Sequence, residues 1–143
     1  MLKLLLPIDG SERSKRSVDW VKARYAPEDV EITLLLIRED LEEQRSREQF
    51  DLAKAELLPL LNEIAASLPE FKVKPEVRFG RAGEEILNYA KAENIDTIVM
   101  TKSTKEAWVR FIGSVTTHVV KYASCIVVIV PENKTKHECT IAD

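Results

Sequence analysis

The chain has 143 residues, 45% of them apolar and 31% charged, with a formal net charge of −3. That length and balance suit one globular domain with a core of its own, and the slight negative charge argues against a general nucleic-acid binder. No apolar run approaches membrane-spanning length, and the opening Met1-Leu2-Lys3-Leu4-Leu5-Leu6-Pro7 is too short for a signal peptide's apolar region and lacks a small-residue cleavage site; the cytoplasm is the expected location, with neither membrane nor nucleic acid as partner.

Leu2 to Ile8 reads as a first strand, ending Pro7-Ile8-Asp9-Gly10-Ser11, with Asp9 at its C-terminal end. Gly10-Ser11 turns into a helix for which Ser11 is a candidate N-cap. Ser14, Val18, Val21 and Tyr25 share one face of it, and Pro27 ends it. A second strand runs from Glu31 to Ile37. The charged stretch Arg38 to Glu48 reads as a solvated loop passing into a helix. Phe50, Ala53, Leu57, Leu61, Ile64 and Leu68 then recur at helical spacing, with a kink or restart expected at Pro59.

Lys72 to Phe79 is a third strand, and Pro75 within it points to the edge of a sheet, because proline cannot donate to a ladder. Gly83 to Glu93 is a helix burying Ile86, Leu87 and Ala90, with Asn94 as its stop. Thr97 to Thr101 and Ile126 to Val130 are short β-branched runs, apolar at successive positions. That pattern suits strands covered on both faces. Between them Val115, Val119 and Tyr122 fall at helical spacing, behind Gly113-Ser114. Glu132 to Asp143 is a polar tail. Five strands alternating with four helices make an α/β domain, with a mostly parallel sheet and helices on both faces.

Ligands of such sheets bind beyond the C-terminal strand ends, where strand order reverses. If strands one and four adjoin there, Asp9 and the stretch from Thr101 to Ser114 meet in one crevice. A helix start favours anions, Gly113 lets a ligand approach the backbone, and Ser114 offers a hydroxyl that can also cap the helix. Gly113 also reads as a turn residue, Ser114 as a cap, and Asp9 as a turn residue before the first helix.

Pro7-Ile8-Asp9-Gly10-Ser11, Gly80 with Glu84-Glu85-Ile86, Asp96-Thr97-Ile98-Val99-Met100, Gly113-Ser114-Val115 and the Ile126 to Val130 finish, in that order and spacing, resemble the universal stress protein family over residues 1 to about 131. The resemblance implies a single UspA-like domain over 1–131 followed by the tail, 132–143. It implies a five-stranded parallel sheet of order 3-2-1-4-5, Rossmann-like and akin to the adenine nucleotide alpha-hydrolases. It also implies homodimers joined through strand five, Ile126, Val127, Val128, Ile129 and Val130, and a bare apolar edge there would in any case need cover.

Many members of the family bind ATP. Asp9 matches the family's acid at the adenine end, and Ile37 the apolar residue whose backbone reads the adenine edge. The family's phosphate loop carries one glycine directly after strand four, a second three residues later, then nine residues and a Gly-Ser pair. Here Thr101 and Thr104 replace the two glycines, and only eight residues, Lys105 to Ile112, precede Gly113. Glycine torsions that close N–H groups on phosphate are unfavourable for a β-branched threonine. Lys102, Lys105 and Arg110 could supply charge instead, or be surface cations. Two functions follow: a homodimeric stress-response and interaction module with a degenerate loop, an unidentified protein partner and ATP gaining little over adenosine; or an ATP-binding member using Asp9, Ile37, Thr101, Thr104, Gly113 and Ser114. Catalysis beyond a weak ATPase is not expected. His118 lies in a helix and His137 in the tail, so no triad or metal site is visible. Cys125 reads as a small buried hydrophobe and Cys139 as a tail thiol. Trp108 and Phe111 read as loop residues that pack on a neighbouring surface or dock a partner.

Overall fold

The computed structural model describes residues 1–12, 14–39, 46–102 and 113–131. Thr104, Lys105, Trp108, Arg110, Phe111, His137, Cys139 and the tail lie outside them. In chain order the elements are β1 (Leu2–Ile8), α1 (Arg16–Arg24), a 3-10 turn (Pro27–Asp29), β2 (Val30–Arg38), α2 (Arg47–Ala66), β3 (Lys72–Phe79), α3 (Ala82–Ala92), β4 (Thr97–Thr101), α4 (Ser114–Tyr122) and β5 (Ile126–Val130). The strands form one sheet of order β3-β2-β1-β4-β5, and every pairing is parallel.

The apolar runs divide by parity. Leu4, Leu6 and Ile8 of β1, with Ile32, Leu34 and Leu36 of β2, join Val18 and Val21 of α1 and Leu61 and Ile64 of α2 in one core cluster. Leu5 and Leu35, with Ile98 and Met100 of β4, join Ile86 and Tyr89 of α3 and Val119 of α4 in another. Adjacent residues of one strand thus enter opposite cores, which is why the sequence shows unbroken apolar runs rather than alternation. Each fully buried leucine contributes roughly 1.5–3 kcal/mol.

Several local features follow from short-range chemistry. Ser46 and Gln49 form a reciprocal capping box at the start of α2. Asn94 takes a left-handed φ of 54° after α3, and the Ile95 N–H donates to the Ala90 carbonyl at 2.9 Å. That is a Schellman termination with Asn in the place of Gly. Pro75 lies on an edge strand, as its missing donor requires.

Other expectations are corrected. Ser11 does not cap α1, whose N-cap is Lys15 without a side-chain bond. Ser11 instead builds a turn: its N–H and hydroxyl donate to Asp9 Oδ1 at 2.9 and 2.6 Å, and its Oγ accepts from the Ser14 N–H at 3.2 Å. α1 stops at Arg24, and Pro27 opens the 3-10 turn rather than ending the helix. α2 runs through Pro59 without restarting. Pro59 and Ala55, whose carbonyl loses its donor, are both exposed, which leaves the missing bond on the solvent side of the helix. Tyr89 is buried on α3, while Leu87 and Ala90 are only half-buried. Cys125 and the middle of β5 are half-buried and Ile126 is exposed, because among the described residues no strand pairs beyond that edge.

Candidate functional site

β1 pairs with β2 on one side and β4 on the other, so strand order reverses at β1. Ile8 lies opposite Leu36, which sets Asp9 level with Ile37. Leu5 lies opposite Ile98, and continuing that register sets Ile8 level with Thr101. Asp9, Ile37 and Thr101 therefore stand together at the C-terminal pole of the sheet. Asp9 is exposed, Ile37 half-buried and Thr101 buried. Asp9 makes the Ser11 turn described above, so the turn role holds whatever else it does.

α4 starts at the same pole. The Lys102 N–H donates to the Val130 carbonyl at 3.2 Å, and the Gly113 N–H donates to the Lys102 carbonyl at 2.9 Å. Residues 102 and 113 thus meet, and the start of α4 is tied to the ends of β4 and β5. The buried Thr116 hydroxyl adds a bond to the Thr101 carbonyl at 3.0 Å. Gly113 is the N-cap of α4, and Ser114 is its first helical residue rather than the cap. Ser114 is exposed and its hydroxyl faces no capping task.

The four helix starts differ. α2 is closed by its capping box and carries Glu48 in its first turn. α3 carries Glu84 and Glu85, and its Ala82 N–H donates to Oε1 of Glu39, at 2.9 Å. α1 carries Asp19. α4 has neither an acidic residue in its first turn nor a capping side chain, so among the described residues its positive end is unanswered.

Thr101 does not adopt a glycine torsion. It closes β4 opposite Val130, and its φ is not positive. An extended backbone is the conformation β-branched residues favour, so threonine costs nothing there. Glu39 and Thr116 were missed by sequence reasoning. Each bonds a group distant in the chain, and no local pattern marks either.

A separate concavity of about 340 Å³ opens at the opposite pole, lined in part by Lys3, Glu31, Lys72, Lys74 and Tyr89. Its lysines already have partners: Lys3 donates to the Glu93 carbonyl at 3.2 Å, Lys72 pairs with Glu31 at 3.2 Å and Lys74 with Glu76 at 3.3 Å. Among the described residues no group of three or more His, Cys, Asp or Glu could hold a metal ion. No helix among them is long and apolar enough to cross a membrane.

Comparison with known proteins agrees with this geometry. The model of the universal stress protein family matches residues 1–131. The hypothetical protein MJ0577, whose structure was used to assign its biochemical function, is 30% identical, with a TM-score of 0.78 over 94% of this chain and 98% of that one. A universal stress protein family protein from Arabidopsis thaliana with AMP bound is 20% identical, with a TM-score of 0.71 over 93% of each chain. A universal stress protein in complex with cAMP is 18% identical, with a TM-score of 0.69 over 91% of this chain and 96% of that one. A search of curated proteins found no match.

Proposed function

The chain belongs to the universal stress protein family, and from that premise we propose that it binds an adenine nucleotide at the C-terminal pole of its sheet. The base lies by Asp9 and Ile37, and the phosphates lie at the start of α4 by Gly113 and Ser114, with Thr101 at the end of β4 beside them. The observation that carries this reading is the uncapped, acid-free N-terminus of α4, set beside the strand-order reversal. AMP and cAMP in two relatives of the same fold support the choice of ligand. Binding rather than turnover is the role assigned, and ATP is the first nucleotide to test.

Isothermal titration with ATP and with adenosine tests the reading. ATP is expected to bind more tightly than adenosine by about tenfold to a hundredfold, the worth of roughly one charge-assisted hydrogen bond. Ser114→Ala is expected to lower ATP affinity and leave adenosine binding unchanged. Equal affinity for the two ligands would mean that α4 does not hold phosphate, and binding of neither would reject the site.

The exposed apolar edge of β5 supports a second element of the proposal, a homodimer formed through Ile126 to Val130. In this reading the stress-response role is exercised by a dimer that offers its nucleotide state to a protein partner.

A further inference from the structure

α3 and α4 pack side by side, and at one point the His118 side chain of α4 lies against the bare backbone of Gly83 on α3. A Cβ atom at Gly83 would lie 2.7 Å from Cδ2 of His118, 3.0 Å from its Cγ and 3.3 Å from its Cβ. No alanine fits there unless the ring moves. Gly83 is the second residue of α3. Glycine inside a helix is weaker than alanine by roughly 0.5–1 kcal/mol, so its place here answers a packing need rather than a helical one. The imidazole is half-buried, and its other neighbour is the Tyr122 ring, 4.8 Å away between centroids.

The ring's position bears on the start of its own helix. His118 lies one turn beyond Ser114 on α4. The sheet side of α4 is fixed by fully buried Val119 and by the Thr116 bond to the Thr101 carbonyl. On the other side, the ring against Gly83 sets how closely α4 approaches α3, and α3 is itself tied to the β2 end through the Ala82 N–H bond to Glu39. Packed interfaces of this kind transmit displacements rather than absorb them.

We propose that His118, seated on Gly83, is a positioning residue of the nucleotide site. It fixes α4 so that the N–H groups after Gly113 and the Ser114 hydroxyl face the phosphates. The inference rests on the nucleotide reading above. Its chemistry is that of shape: a flat ring against a bare backbone, with no proton transfer.

The test is a double-substitution cycle in the full chain, titrated with ATP and with adenosine. Gly83→Ala is expected to weaken ATP about fivefold or more while adenosine binding stays unchanged, within the coupling range of residues in contact. Gly83→Ala with His118→Ala is expected to recover ATP affinity to within about twofold, because the methyl group then occupies the space the ring has left. His118→Phe is expected to keep the affinity and His118→Ala alone to lose about threefold of it, a pair that decides the matter even if Gly83→Ala fails to fold. The proposal is overturned by unchanged ATP affinity in both Gly83→Ala and His118→Ala, by adenosine falling in step with ATP, or by a double variant no better than Gly83→Ala. A wild-type chain that binds neither ligand rejects the nucleotide reading and this inference together, which is distinct from wild-type binding that the substitutions do not alter.

Discussion

The sheet has two edges, and they are built in opposite ways. β3 presents Lys72, Lys74 and Arg78 to solvent and carries Pro75 in its middle. Its charges are paired along the strand and to its neighbour: Lys72 with Glu31, and Lys74 and Arg78 with Glu76 at 3.3 and 3.6 Å. The hydrogen bond from Lys74 to Glu76 raises the pKa of the lysine, so the edge stays charged. β5 carries no charge at all. Ile126 is 65% exposed, and Val127, Val128 and Ile129 are half-buried. Both strands end the same sheet and obey the same ladder geometry, so the fold does not dictate the difference. β3 carries the charges and the proline that guard an edge against strand addition, β5 carries neither, and the proposed dimer accounts for the difference.

Placing a charge on β5 should have the largest effect. Ile126→Lys touches a side chain that the fold leaves exposed, so folding should be spared. Dimer affinity is expected to fall by about a hundredfold or more, as when an anchor residue at an interface centre is lost. Light scattering across a dilution series would show a monomer at concentrations where the wild type is dimeric. Val128→Lys should act in the same direction with an added cost in stability, because Val128 also packs against the core. A wild type that is monomeric throughout, or an Ile126→Lys variant with unchanged mass, would move the contact away from β5.

The converse change should have a smaller, graded effect. Replacing Lys72 and Lys74 by Val and Pro75 by Thr makes β3 resemble β5. Sedimentation is expected to show species larger than the wild-type assembly, growing with concentration, since a second open edge permits chains of molecules rather than closed pairs. If the triple variant keeps the wild-type mass, charge and proline at β3 do not act as guards, and the contrast between the edges loses its meaning.

The edges and the fold were legible in the sequence because their signals are local. Apolar runs in β1, β2, β4 and β5, the proline of β3 and the asparagine after α3 each act through their own backbone. Strand order came through the family resemblance and not through any residue. The site was legible only in outline. Asp9, Ile37, Thr101, Gly113 and Ser114 do stand at one pole, but which residues cap the neighbouring helices was not legible. Ser11 and Ser114 are cap-forming residue types, yet neither caps a helix here. The cap of α3 is Glu39, 43 residues away from the group it serves. Gly83 looks like an ordinary weak helix residue until His118 is seen against it. Contacts of this kind are made by tertiary structure, and no periodicity records them.

The smallest expected effect concerns Cys125, the residue just before β5. Burial pushes its thiol pKa up, and backbone hydrogen bonds at Cys125 and Ile98 offset this only in part. A raised pKa keeps the thiol protonated to higher pH, so the reactive thiolate is scarcer near neutral pH than in a free cysteine. With Cys139→Ser removing the other thiol of the chain, labelling by a disulfide reagent reports on Cys125 alone. The rate should climb with pH later than that of a free cysteine. If β5 pairs with a second copy, Cys125 gains cover from the partner, and the rate should fall by about threefold as protein concentration passes through the dimer range, the modest protection expected at the end of a paired strand. A labelling midpoint at or below that of free cysteine would show that the thiol is solvated. A rate independent of concentration, in a protein that Ile126→Lys makes monomeric, would show that the pairing contact begins at Ile126 and leaves Cys125 uncovered.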